Sequence, residues 1–329
     1  MAPSLDSEEV AAIVPEKYGH DPYQVYSTVM DHLGEKATAN DLEKSRSCIN
    51  QFFREWSEEG RLEREKCFAP IISMLDEEHA VRREKEQSLG KKQMNVLVPG
   101  AGLGRLVFDV CKAGYRVEGN EISYHEIMAS SLVLNHTSKP GQFQIAPFAL
   151  NSSNHLSRED QFRTYDIPDV RPATELASGD VGEMGMSTGD FIVLYNNPEY
   201  KEYFDVVATV FFIDTAPNAI RYIETVRNCL KSGGLWVNLG PLLWHHASRT
   251  QDPEQDADDR RNLGKGDDRG IADPGSVELT DEEVVALVQH FGFSIEKHEP
   301  GSVETGYITN TRSMLQSSYR ASFWVARKV

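Results

Sequence analysis

In the stretch NVLVPGAGLGRL, beginning at Asn95, a short apolar run ends in three glycines spaced two apart, Gly100, Gly102 and Gly104. A carboxylate, Glu121, follows 21 residues after the first of them, inside GNEIS. Glycines at a strand end let a ligand approach the backbone closely, and a carboxylate at the tip of the next strand can accept from two hydroxyls at once. The chemistry this suits is the holding of a nucleoside, with Glu121 on both ribose hydroxyls. Gly189-Asp190-Phe191 adds an acceptor beside an aromatic ring, suited to an adenine amino group and an adenine face. Taken alone, Asp190 reads better as a turn aspartate after a glycine.

The spacing selects among nucleosides. A dinucleotide fingerprint reads G-x-G-x-x-G, its third glycine packing a helix beside a pyrophosphate. Here it is G-x-G-x-G followed by Arg105, which suits S-adenosylmethionine, a ligand without a pyrophosphate. The apolar run FDVVATVFF (204–212) leads into Ile213-Asp214, at the carboxyl edge where open α/β sheets bind ligands. Leu230-Lys231-Ser232-Gly233-Gly234 resembles the L-K-P-G-G turn common in class I methyltransferases. S-adenosylmethionine is therefore the expected cofactor, ahead of a nicotinamide.

The elements that must position these groups alternate strand and helix. Strands are expected at 94–98, 116–120, 204–212, 235–239, 293–298 and 320–327, and helices at 104–113, 124–135, 219–230 and 280–290. Ser123 with Glu126, and Thr280 with Glu283, have capping-box spacing. This pattern predicts an α/β fold with a doubly wound, mainly parallel sheet. Ahead of it, Cys48, Ile49, Phe52, Phe53 and Trp56 recur at helical spacing, Gly60 interrupts, and a second helix runs through Ile72. Residues 76–93 read as a charged connector. The expected organisation is a flexible N-terminus at 1–40, a helical extension at 41–93 and the main domain at 94–329. Within that domain, 137–188 is an inserted segment on the substrate side and 248–276 a disordered loop.

Composition narrows the partners. With 51 acidic against 34 basic residues the formal charge is −17, which disfavours a nucleic-acid substrate. No apolar stretch approaches the ~18 residues of a membrane span. Cys48, Cys67, Cys111 and Cys229 form no CxxC pair and read as reduced thiols, so a cytosolic or nuclear protein is expected. The helices of 41–75 could cover their own domain or a second subunit, leaving a homodimer open.

In order over most of residues 40–329, six pieces resemble the carnosine N-methyltransferase (N2227-like) family: LVPGAGLGRL, GNEIS, Gly189-Asp190-Phe191, FFIDTA (211–216), GGLWVNLGPLLWH (233–245) and QFFREWSEEGRLERE (51–65). The resemblance implies a class I, Rossmann-like methyltransferase that moves a methyl group from S-adenosylmethionine to the Nδ1 (Nπ) imidazole nitrogen of carnosine, giving anserine. It places Gln51 and Arg54 at the cofactor, Arg54 suited to the methionine carboxylate, so the helical extension contributes to the cofactor site. Gly100, Gly102, Glu121, Asp190 and Phe191 keep the roles argued above, and Val210 lines the same site.

For the substrate the family pattern points to Asp214, His245 and Tyr319. Asp214 is the expected catalytic group, a carboxylate on Nε2–H that fixes the tautomer with a free Nδ1. Each has a plainer reading. Asp214 could cap the helix near Pro217, His245 beside His246 could be a loop histidine, and Tyr319 could be a half-buried aromatic at a strand start. No metal is expected, since third and fourth ligands at plausible spacing are lacking. Ser317 and Ser318 stand where the family carries aromatics, and 248–276 lengthens the loop after His245. Both departures lie on the substrate side. The alternatives are a methyltransferase for another imidazole, in a peptide or a protein, and a non-catalytic S-adenosylmethionine-binding regulator; a nicotinamide dehydrogenase is more distant.

Overall fold

The computed structural model describes residues 39–177, 179–245, 270–272 and 277–329. The N-terminus expected to be flexible lies outside these up to residue 38, as does the expected disordered loop apart from 270–272. The elements run α1 (Ala39–Trp56), α2 (Arg61–Lys85), β1 (Asn95–Pro99), α3 (Arg105–Lys112), β2 (Arg116–Glu121), α4 (Tyr124–His136), β3 (Phe143–Ile145), α5 (Arg158–Gln161), β4 (Tyr165–Ile167), α6 (Pro172–Glu175), β5 (Met184–Thr188), α7 (Phe191–Tyr195), β6 (Phe204–Val210), α8 (Ala219–Cys229), β7 (Leu230–Gly240), α9 (Asp281–His290), β8 (Phe293–Thr305) and β9 (Tyr319–Lys328). The chain divides into two units, Met1–Ser47 and Cys48–Val329. Of the first, the opening of α1 is described, where the Ser45 hydroxyl donates to the Asp41 carbonyl at 2.8 Å.

The second unit holds a seven-stranded sheet in the order β5-β2-β1-β6-β7-β9-β8. It is parallel from β5 through β7, and β9 runs antiparallel to β7 and β8. This is the expected doubly wound, mainly parallel arrangement. From β1 the strands are laid down first to one side (β2, β5) and then to the other (β6, β7), and this switch point opens a crevice beyond the carboxyl ends of β1 and β6.

Alternation along the strands explains why both faces are covered. Val96, Val98, Val206, Ala208, Val237 and Phe323 form one apolar layer with Cys67, Phe68, Ile71 and Leu75 of α2 and with Leu106 and Val107 of α3. Leu97, Val207, Trp236 and Trp324 face the other way, onto Phe191 and Ile192 of α7, Ile223 and Val226 of α8, and Val284 and Val288 of α9. A strand buried on both faces has no polar register, which is why FDVVATV is continuously apolar.

Three differences from the expected organisation have physical causes. Helix α2 runs to Lys85 through the stretch expected as a connector, because its charges are paired inward. Glu78 is buried and accepts from Arg82 at 2.7 Å and from Arg327 of β9 at 2.8 Å. The expected boundary at 93/94 therefore falls inside one unit, with α2 supplying a layer of the core. In residues 137–188, the last five form edge strand β5, whose half-exposed sequence MGMST carries no apolar run. The remainder includes the β3–β4 hairpin, whose Phe143, Ile145 and Ile167 pack with Phe52 and Trp56 of α1 and with Leu103 and Phe108.

Candidate active site

Pro99 ends β1 and the chain turns through Gly100, Gly102 and Gly104, with φ of +65°, +55° and +79°. All three positions are crowded: a Cβ would lie 2.5 Å from the ring of Phe212 at Gly100, 2.9 Å from Glu55 Oε1 at Gly102 and 2.9 Å from Ser130 Oγ at Gly104. The loop is pinned by the Ala101 amide on the Asn120 carbonyl at 2.9 Å. Glu121, at the end of β2, accepts from the Gly102 amide at 3.0 Å and from the Ser123 amide at 2.8 Å, one bond on each oxygen. A carboxylate has about four lone-pair directions, so two are left for a diol. Burial, and then the charge of Glu126, push the Glu121 carboxyl well above the usual range.

Helix α1 forms the opposite wall. Gln51, Arg54 and Glu55 stand three and four apart on one turn, all buried. Gln51 Nε2 donates to Glu126 Oε1 at 2.9 Å, so Glu126, whose amide donates to Ser123 Oγ, has its side chain drawn to α1. Arg54 is 6% exposed and donates from Nε to Glu63 Oε1 at 2.8 Å. Its guanidinium lies over Tyr307 (4.7 Å to the ring centre), Phe211 (5.5 Å) and Phe68 (5.7 Å). Its Nη2 is buried and makes no hydrogen bond among the described residues. An orphaned guanidinium donor is costly unless an anion completes it.

At the end of β6, Phe211 adopts φ +53° and swings its ring against Tyr307 (5.3 Å) and Tyr319 (5.9 Å). Tyr319 is half-buried and opens β9. Val210, the last residue of β6, is also half-buried. Asp214 sits three residues past Phe211 and is 3% exposed; its Oδ2 accepts from the Leu243 amide at 2.9 Å and its carbonyl from the His245 amide at 3.1 Å. Burial raises the Asp214 carboxyl above its ordinary value, opposed by the Leu243 amide and by His245. Helix α8 is capped by Asn218, which accepts from the Ile220 amide at 3.0 Å, so Asp214 is not spent on that cap. The structure thus brings Asp214 beside His245, whose residue is exposed, and Tyr319 beside Phe211.

Asp190 and Phe191 have partners within the protein, and Asp190 takes the turn role that its glycine neighbour suggested. Asp190 Oδ1 caps α7 by accepting from the Ile192 and Val193 amides at 2.8 and 3.2 Å, and Oδ2 accepts from the Ile271 amide at 2.8 Å. Phe191 is 3% exposed and packs edge-on against Phe212 and Tyr222.

Glu55, Glu63, Phe211, Phe212 and Tyr307 join the site without having been singled out in the sequence. Glu55 was reachable, since it lies four residues after Gln51 on the same helix face. Tyr307 carries no local signal and is placed by the β8–β9 connection, where the Ile308 and Thr309 amides donate to Glu63 at 3.0 and 3.1 Å.

The buried acids set a pH dependence. Burial pushes Glu55 up to about 7, with Arg54 and the Arg105 amide opposing. A carboxyl raised in the folded state holds its proton there above the pH at which the unfolded chain loses it, so folding stability falls as pH rises towards and through 7. Calorimetric melting of the ligand-free protein should give a lower Tm at pH 8 than at pH 6, and Glu55→Gln should flatten that difference. An unchanged pH slope in the variant would take Glu55 out of the account.

The chain matches the family model described as carnosine N-methyltransferase over residues 32–329. It is 37% identical to a protein named carnosine N-methyltransferase from Schizosaccharomyces pombe, covering 87% of this chain and 71% of that one. It is 35% identical to proteins of that name from Drosophila melanogaster (95% of this chain, 62% of that one) and Mus musculus (89% and 64%). The chain thus spans under two thirds of the length of the latter two.

Proposed function

From the chain's membership of the carnosine N-methyltransferase family, we propose that it transfers the methyl group of S-adenosylmethionine to the Nδ1 nitrogen of carnosine, giving anserine. The observation that carries this reading is Asp214. It is a buried carboxylate beside His245, with one oxygen held by the Leu243 amide, at the switch point of a sheet whose glycine loop lies across the crevice.

The residues present fit the cofactor. Arg54 Nη2 is an orphaned buried donor for the methionine carboxylate, and Glu121 has acceptor capacity for the ribose hydroxyls. Gln51, Gly100 and Val210 would line the same site, and Asp190 with Phe191 would serve adenine. When bound, the cofactor supplies an electrophilic methyl carbon on a sulfonium.

The acceptor is a neutral imidazole, the main form at pH 7 for a pKa of ~6.5. Asp214 accepts from Nε2–H, which leaves the lone pair on Nδ1. With the cofactor held by Arg54 and Glu121, its methyl would pass from the sulfonium to that lone pair, and Asp214 would face the positive charge this leaves on the ring. Removal from water strengthens that interaction. His245 and Tyr319 orient the peptide part. Alignment of the nitrogen with the methyl carbon and sulfur supplies most of the remaining acceleration.

A second reading, methylation of an imidazole in a longer peptide or a protein, has one observation in its favour. A groove of about 410 Å³ is lined by Gly60, Glu63, Thr309, Gln316, Ser317 and Ser318, immediately ahead of Tyr319. The serines that replace the family's aromatics there leave room for chain beyond a dipeptide.

No helix among the described residues is long and apolar enough to cross a membrane. The four cysteines are buried and unpaired, which fits a cytosolic or nuclear setting. Methyl transfer from labelled cofactor to carnosine, homocarnosine, histidine and histidine peptides, with the product nitrogen assigned by NMR, tests the proposal. Carnosine methylated at Nδ1 is the expected leading product. A preference for a longer peptide favours the second reading, and no methylated imidazole refutes both.

A further inference from the structure

Glu55 is a buried carboxylate that its own protein leaves under-satisfied. It is 5% exposed, and its Oε2 accepts one long hydrogen bond, from the Arg105 amide at 3.3 Å. The nearest guanidinium nitrogen to Oε1 is Arg54 Nη1 at 3.9 Å, beyond hydrogen-bond reach. Asp169 nearby is treated otherwise, with Arg64 and Arg105 on it at 2.7 and 2.6 Å. Buried carboxylates are normally hydrogen-bonded to their cation, and Arg54 at 3.9 Å attracts Glu55 without bonding it, which leaves Oε1 suited to a cationic donor.

The surroundings define that cation. The space a Cβ of Gly102 would take lies 2.9 Å from Glu55 Oε1, 3.4 Å from Gln51 Oε1 and 3.8 Å from Glu126 Oε2. Acceptor oxygens of Glu55, Gln51 and Glu126 thus gather on the same side of Gly102, an electronegative rim beside the glycine loop that suits a cationic group. The adjacent Arg54, 94% buried by its 6% exposure, carries the orphaned Nη2 that an anion would complete. A cation receptor and an anion receptor one residue apart on a helix suit the zwitterionic end of an amino acid.

We propose that Glu55 is a specificity-determining residue that receives the α-ammonium of the cofactor's methionine end while Arg54 takes its carboxylate. This rests on the proposed use of S-adenosylmethionine. The groups facing Glu55 are Arg54 of α1, Arg64 of α2, the Arg105 amide of α3 and Glu126 of α4, and together with burial they hold it near 7. The empty protein therefore carries Glu55 mostly protonated at pH 6.5. Entry of the ammonium expels that proton to solvent and leaves a carboxylate–ammonium pair, with charge balanced.

The test is calorimetric titration of the full chain at pH 6.5 with three ligands: S-adenosylmethionine, its decarboxylated form, and the analogue lacking the α-amine. Glu55→Gln should lose about 10- to 100-fold in affinity for the first two and little for the third. In the wild type, titration in two buffers of different ionisation enthalpy should show more proton release with the two amine-bearing ligands than with the third. That comparison stands even if the variant fails to fold. Equal losses for all three ligands, or no loss, overturn the role of Glu55, as does equal proton release. A wild type that binds none of the three overturns the cofactor reading instead.

Discussion

Asp214→Asn should lower kcat by about 10²- to 10⁴-fold and leave affinity for S-adenosylmethionine within about twofold. The substitution keeps an acceptor for the Leu243 amide, so the turn at Ile213–Thr215 is retained. What changes is the other atom, from an acceptor to an –NH₂ donor. A donor there favours the imidazole tautomer whose proton sits on the nitrogen to be methylated, and it repels the positive charge that develops on the ring. Asp214→Ala should lose turnover as well, with an added cost from the Leu243 amide. Initial rates of methyl transfer together with cofactor calorimetry check this, and near-normal turnover in Asp214→Asn removes the residue from the proposed role. Because burial raises the Asp214 carboxyl, activity should also decline on the acid side at a higher pH than an exposed aspartate would dictate.

Asp169→Ala should cost about 3–5 kcal/mol of folding stability, the expected penalty for removing one partner of a buried ion pair. Asp169 Oδ2 takes Arg64 Nη2 at 2.7 Å, Oδ1 takes Arg105 Nη1 at 2.6 Å, and the backbone amide donates to the Trp56 carbonyl at 2.8 Å. Arg64 also donates to the Arg54 and Ser57 carbonyls at 2.9 and 2.7 Å. One aspartate therefore ties together α1, α2, α3 and the end of the β3–β4 hairpin, with the side chains of all three charged residues at most 10% exposed. Its loss leaves Arg64 buried without its anion and Arg105 with Asp109 alone. Urea unfolding of the variant should show a reduced midpoint at near-constant slope, and cofactor affinity should fall too, since Arg105 begins the helix that follows the glycine loop. A loss below about 1 kcal/mol would mean that the arginines find other partners.

The elements legible beforehand were those with strong local periodicity or punctuation. The continuous apolar run of β6, the glycines after β1 and the Thr280–Glu283 capping box each specify their structure within a few residues. Strand β5 and the last turns of α2 were not legible, because edge pairing to β2 and ion pairs to Arg327 hold them, and neither leaves an apolar pattern. Asp190 shows the limit for site residues. Its type and its glycine neighbour suit a ligand acceptor, yet its oxygens serve the α7 amides and Ile271. A sequence does not reveal which acceptors the protein itself will occupy.

By itself the sequence determined six of the seven strands, a mainly parallel sheet, the loop at its carboxyl edge and, through ordered motifs, the family. All of these depend on interactions between near neighbours or on patterns read in order. Only the tertiary structure decided that Gln51, Arg54 and Glu55 stand across the crevice from Gly102, about 50 residues on in the chain, and that Tyr307 and Phe211 roof Arg54. It also decided which charges are spent, pairing Asp169 with two arginines while leaving Glu55 and Arg54 Nη2 incomplete. The reason is that burial and pairing are properties of the assembled core. The same glutamate or arginine is an ordinary surface charge on a solvated helix and a demanding one when the helix is packed away from water.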